Sequence, residues 1–61
     1  MKIYVGIDLH STNSYFGVIN ELGDRLYDKR IANKPDKILR VMSLISKLGD
    51  IEDVVIESTY N

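Results

Sequence analysis

Sixty-one residues make at most one small domain, and folding such a chain buries only about 60% of the surface that its unfolded form exposes. Eight Lys and Arg against nine Asp and Glu give a formal net charge of -1, which lacks the basic footprint of a self-sufficient nucleic-acid binder. With no cysteine there is no disulfide framework or thiolate zinc site, and no apolar run approaches the roughly 20 residues that cross a bilayer, so the expected compartment is the cytoplasm, with no membrane partner.

Lys2 to Leu9 alternates, with Ile3, Val5 and Ile7 on one face and Tyr4, Gly6 and Asp8 on the other, the two-residue period of a strand. Asp8 falls near its end. After the polar stretch His10-Ser11-Thr12-Asn13, the aromatic and β-branched run Ser14 to Ile19 reads as a second strand. Asn20-Glu21-Leu22-Gly23-Asp24 closes a hairpin through a glycine that tolerates positive φ, and a third strand, about Arg25 to Ile31, completes an antiparallel meander.

A helix is expected from about Asn33, with Asn as N-cap, Pro35 in the first turn and Asp36 at the positive end. Ile38, Val41, Met42, Ile45 and Leu48 form its apolar face, Lys37, Arg40, Ser43 and Lys47 its polar face, and Gly49 is a plausible stop. Asp53-Val54-Val55-Ile56-Glu57 has no polar alternation in its apolar centre, the signature of a parallel strand buried on both faces. A right-handed crossover then sets this strand beside the first, giving the order 3-2-1-4 in an α/β domain. A hydrophobic strand at an open edge is one that natural domains cover or pair, so further sequence after Asn61 is expected.

Asp8 and Glu57 would thus lie at the carboxyl ends of adjacent parallel strands, where open α/β sheets bind ligands. Two neighbouring carboxylates repel each other unless a cation lies between them, and magnesium takes one or two protein carboxylates together with waters and phosphate oxygens. Phosphodiester chemistry commonly uses two metals about 3.5–4 Å apart, which needs more acids than these two. From spacing alone, a strand-terminal acid at either position reads equally well as a solvated residue.

Tyr4-Val5-Gly6-Ile7-Asp8-Leu9-His10-Ser11 and Val54-Val55-Ile56-Glu57-Ser58-Thr59-Tyr60-Asn61 together resemble the DEDD-type insertion-sequence transposases of the IS one-ten group. That family opens with a RuvC-like, ribonuclease H-like catalytic domain, in which a "G-I-D-x-H" strand and a "V-x-E-[AS]-T" strand about fifty residues later give the first two of four acids. The resemblance covers the whole chain, but only the opening segment of the family's sequence. It implies that Asp8 and Glu57 are catalytic metal ligands for Mg2+ or Mn2+. For the full protein it implies strand cleavage and exchange on DNA, guidance by a structured RNA of the element, and homo-oligomeric assembly. Tyr60-Asn61 departs from the glycine and aromatic residue that many members carry there.

His10, Ser11 and Thr59 are candidates for contacts to a phosphate or to the groups around the metal. His10 reads also as a loop residue that fixes the turn, and Lys29, Arg30 and Lys34 as a solvated face or a contact to a nucleic-acid backbone. Tyr4, Tyr15, Phe16 and Tyr27 read as packing residues rather than stacking platforms. Ser11, Ser14 and Ser58 are not the family's serine nucleophile, which it carries in a separate domain. The isolated chain is expected to be catalytically inactive.

Two other readings compete. Gly6 to Ser14 resembles the first phosphate loop of actin-like ATPases, but those proteins need a glycine where this chain has His10, and they require no acid at the position of Glu57. The third is a non-catalytic remnant or interaction module that pairs with a full-length relative by strand addition along the exposed edge.

Overall fold

The computed structural model describes residues 1–58 and forms a small α/β domain, a four-stranded mixed sheet with one helix. In chain order the elements are β1 (Lys2–Leu9), β2 (Asn13–Asn20), β3 (Arg25–Ala32), α1 (Pro35–Ser46) and β4 (Asp50–Ser58). The sheet order is β3-β2-β1-β4, with β1 antiparallel to β2, β2 antiparallel to β3, and β4 parallel to β1, as the hydrophobic pattern and the crossover rule imply. Among the described residues no helix is long and apolar enough to cross a membrane.

Alternation along the strands separates two faces. Ile3 and Val5 from β1 and Phe16 and Val18 from β2 are buried against Val41 and Ile45 of α1, with Ile7, Tyr27, Ile31, Ile38 and Met42 packed around them. Full burial of each such side chain contributes about 1.5–3 kcal/mol, so this single layer between helix and sheet is the core. The opposite face, which carries Tyr4, Gly6, Asp8, Tyr15 and Gly17, has no helix over it among the described residues.

Two register shifts interrupt the ladders. Between β1 and β4 the pairing passes from Ile3↔Ile51 to Tyr4↔Asp53, which leaves Glu52 as an extra residue. Between β2 and β3 it passes from Val18↔Tyr27 to Ile19↔Arg25, which leaves Leu26 extra. The β2–β3 turn is closed as expected by Gly23, at φ 85°, and by the Asn20 side chain, whose Oδ1 accepts from the Leu22 and Asp24 amides at 2.9 and 3.0 Å.

Three expectations are corrected. The helix starts at Pro35 with Lys34 in the N-cap position and no side-chain cap, because the Asn33 side chain is engaged in tertiary hydrogen bonds instead. It ends at Ser46, before Gly49, and Leu48 lies 36% exposed rather than on the buried face. Gly49 is not in the left-handed region. What it provides is close approach: a Cβ there would fall 2.5 Å from the Met1 carbonyl oxygen and 2.8 Å from Ile3 Cγ2, next to the Asp50 amide that donates to that same oxygen at 2.8 Å.

The third correction concerns β4, which is exposed along its length rather than buried on both faces. Helix α1 lies toward β3, so the apolar residues Ile51, Val54 and Ile56 on the helix side of β4 extend beyond its cover. A groove of about 520 Å³ opens there, lined chiefly by Ile7, Leu9, Phe16, Ile38, Met42 and Ile56. The strand edge itself is partly guarded, since it carries Asp50, Glu52, Asp53 and Glu57, and the Asp53 carboxylate accepts the Val54 amide at 2.9 Å.

Gly49→Ala is expected to destabilise the domain by about 1–3 kcal/mol, because the atom it meets is backbone and the β1–β4 junction must shift. Urea unfolding followed by far-ultraviolet circular dichroism measures this, and an unchanged midpoint would contradict the close-approach account.

Candidate functional site on the open face

Asp8 is the next-to-last residue of β1 and pairs with Glu57 of β4 on one side and with Tyr15 of β2 on the other. Tyr15 in turn pairs with Arg30 of β3. Residues directly opposite one another share a face, so a single rung Arg30, Tyr15, Asp8, Glu57 crosses all four strands on the side away from α1. Backbones within the rung are roughly 4.8 Å apart from strand to strand. The preceding rung is Asp28, Gly17, Gly6, Val55, which carries no side chain at its two central positions.

The two sequence-derived acids therefore meet at one rim of the sheet. Asp8 Oδ2 lies 3.2 Å from His10 Nε2, and both side chains are about two-fifths exposed. Asp8 Oδ1 is shielded from solvent and has no hydrogen-bond partner among the described residues. A buried acceptor left unpaired costs about 1–3 kcal/mol, which a ligand at that oxygen would offset. Glu57, exposed on the neighbouring strand, is the second carboxylate in reach of such a ligand. No group of three or more potential metal ligands forms among the described residues, so a cation here would complete its shell with waters and substrate oxygens, as magnesium commonly does.

His10 is held from both ends. Its amide donates to the Asn13 carbonyl at 3.0 Å, closing the β1–β2 turn, while its own carbonyl accepts from Asn33 Nδ2 at 2.7 Å. Its imidazole turns back onto Asp8, so the residue serves the turn and touches the candidate site together. Ser11 sits exposed in the turn. Thr59 lies outside the described residues.

The sequence reading did not single out Asn33 as part of this region. Its Oδ1 accepts the hydroxyl of the fully buried Ser14 at 2.6 Å, its Nδ2 holds the His10 carbonyl, and its amide donates to Thr12 at 3.1 Å. One side chain thus ties the entrance of α1 to the turn that presents His10. Tyr15 and Arg30 likewise join Asp8 and Glu57 through strand pairing rather than through any local motif.

No family model matches the chain, and no curated protein or solved structure matches it either.

Asn33→Ala leaves the buried Ser14 hydroxyl without its acceptor and the His10 carbonyl without its donor, and is expected to cost about 1–3 kcal/mol. It should also broaden or shift the His10 ring resonances by loosening the turn. Unchanged stability together with unchanged His10 signals would rule out the tie.

Proposed function

We propose that this chain supplies the first two acidic ligands of a ribonuclease H-like nuclease domain belonging to a DNA transposase of the DEDD type. The observation that carries the reading is the direct pairing of Asp8 with Glu57, on one face and at the carboxyl ends of adjacent parallel strands. Asp8 Oδ1 adds support, since it has no hydrogen-bond partner among the described residues and an acceptor without a donor suits a cation.

Asp8 and Glu57 would hold Mg2+ or Mn2+. When bound, such an ion polarises a phosphodiester and activates the attacking oxygen. The protein's own part is to fix the two carboxylates on the rigid centre and neighbouring strand of a sheet, which positions them more closely than loop residues would be positioned. His10 holds the Asp8 carboxylate in place through Oδ2. DNA is the substrate in this reading, with a structured RNA as guide and a homo-oligomer as the working assembly of the complete transposase. The two further acids that a two-metal centre needs would come from additional sequence.

An actin-like phosphate loop accounts less well for the turn. There the backbone amides must face phosphate, whereas the His10 amide is spent on the Asn13 carbonyl. The interaction-module reading gains support from the exposed Val54, Val55 and Ile56, and is compatible with nuclease ancestry.

Titration with Mn2+ is expected to broaden the backbone resonances around Asp8 and Glu57 before any others, and Asp8→Asn to weaken that effect at least about tenfold, the loss of one charged ligand. Broadening centred on Asp50 and Asp53, or spread evenly over all acids, would count against the shared site.

A further inference from the structure

The nuclease reading leaves half of the open-face rung without a role. Tyr15 stands one strand from Asp8 and Arg30 two strands away, on the same side of the sheet. Gly6 and Gly17 pair beside them and open a shelf. Among the described residues nothing lies within 4 Å of a Cβ built on Gly6, and the nearest atom to one on Gly17 is Tyr15 Cε1, at 3.8 Å. The Tyr15 ring, which the sequence alone reads as packing, therefore extends forward along its own strand toward Gly17 and remains partly exposed on the open face. A concavity of about 290 Å³ follows, lined by Gly6, Asp8, Tyr15, Gly17, Val55 and Glu57.

Charge is laid out unevenly along this rung. Arg25 Nη1 donates to Asp28 Oδ2 at 2.6 Å, which occupies the acid nearest to Arg30 on the open face of β3. Arg30 is exposed and has no acidic partner among the described residues. The rung thus runs from a cation, through an aromatic ring over a side-chain-free shelf, to two carboxylates.

We infer that this rung is a binding track for a single strand of nucleic acid, laid across the sheet from β3 to β4. One base stacks on Tyr15 and a backbone phosphate sits at Arg30, while the neighbouring phosphodiester would approach Asp8 and Glu57 only with a cation between them. Two inter-strand spacings, roughly 10 Å, separate Arg30 from Asp8, with the ring between them. Stacking requires an unpaired base face, so the track takes single strands in preference to duplex. Glycine at positions 6 and 17 keeps the backbone open to a flat ligand, which a larger side chain would displace. The choice of a phosphodiester ligand rests on the nuclease reading, but binding at Tyr15 and Arg30 needs no metal.

The test is fluorescence anisotropy of an end-labelled single-stranded oligodeoxynucleotide titrated with the full chain, in EDTA and again with magnesium. Wild type is expected to bind the single strand more tightly than the matching duplex at low ionic strength, with a dissociation constant on the order of 10⁻³ M, as one stacked base and one phosphate contact supply. Tyr15→Leu should weaken binding about tenfold while Tyr15→Phe stays within about twofold, as base stacking requires. Arg30→Gln should lower the salt-dependence slope by about one phosphate contact.

Equal binding by wild type and Tyr15→Leu, preference for duplex, or no binding by wild type overturns the track. If circular dichroism shows Tyr15→Leu unfolded, the salt slope of Arg30→Gln decides, and an unaltered slope overturns it. The two proposals fail separately. Tyr15-dependent binding in EDTA without Mn2+ binding at Asp8 sinks the metal site alone, and Mn2+ binding at Asp8 without any effect of Tyr15→Leu sinks the track alone.

Discussion

The register shift between β1 and β4 is the constraint on which the pairing of Asp8 with Glu57 on the open face depends. Before it, β4 runs 48 residues ahead of its partner, as in Ile3↔Ile51, and after it 49 ahead, as in Asp8↔Glu57. Because strand side chains alternate with a period of two, a ladder continued without the shift would set Glu57 against Leu9, on the helix side. Glu52 is the residue that absorbs the difference. The site therefore rests on an irregularity about five residues away from it, where Gly49 and the Asp50 amide dock β4 against Met1.

The shift in β3 does the same for the other end of the rung. With Leu26 extra, Tyr15 faces Arg30, and Lys29 goes to the helix side against Phe16. The two bulges thus select which charges share a face, while the core tolerates them because it draws its buried residues from β1, β2 and α1. Energetics and chemistry are divided between the two sides of one sheet. The helix side carries the burial that holds the fold, and the open side carries the polar groups that burial would penalise.

Much of this architecture is readable from residue order. Ile3, Val5 and Ile7 against Tyr4, Gly6 and Asp8 give the two faces of the first strand, and the crossover rule gives the parallel neighbour, hence the order 3-2-1-4. The four-residue turn from His10 to Asn13, mirrored about its centre, already sets Asp8 opposite Tyr15. Arg30 is different. Mirroring the turn centred on Leu22 pairs Tyr15 with Lys29, and only the bulge, which has no distinctive sequence at Leu26, moves the pairing by one. Asn33 misleads for another reason: its residue type suits a helix cap, but the buried Ser14 hydroxyl and the His10 carbonyl compete for the same side chain and win. The exposure of β4 was hidden because an apolar run reports what a strand needs, and one helix placed toward β3 does not supply it.

The acids of β4 have a consequence for crowded solutions. Four carboxylates in nine residues, with no base among them, mean that two copies laid edge to edge in parallel register would set each acid against its own copy. Asp53, already folded onto the Val54 amide, also takes one rung out of any such ladder. The strand thus carries, in its own acids, a guard against fibril growth that its exposed apolar centre would otherwise invite.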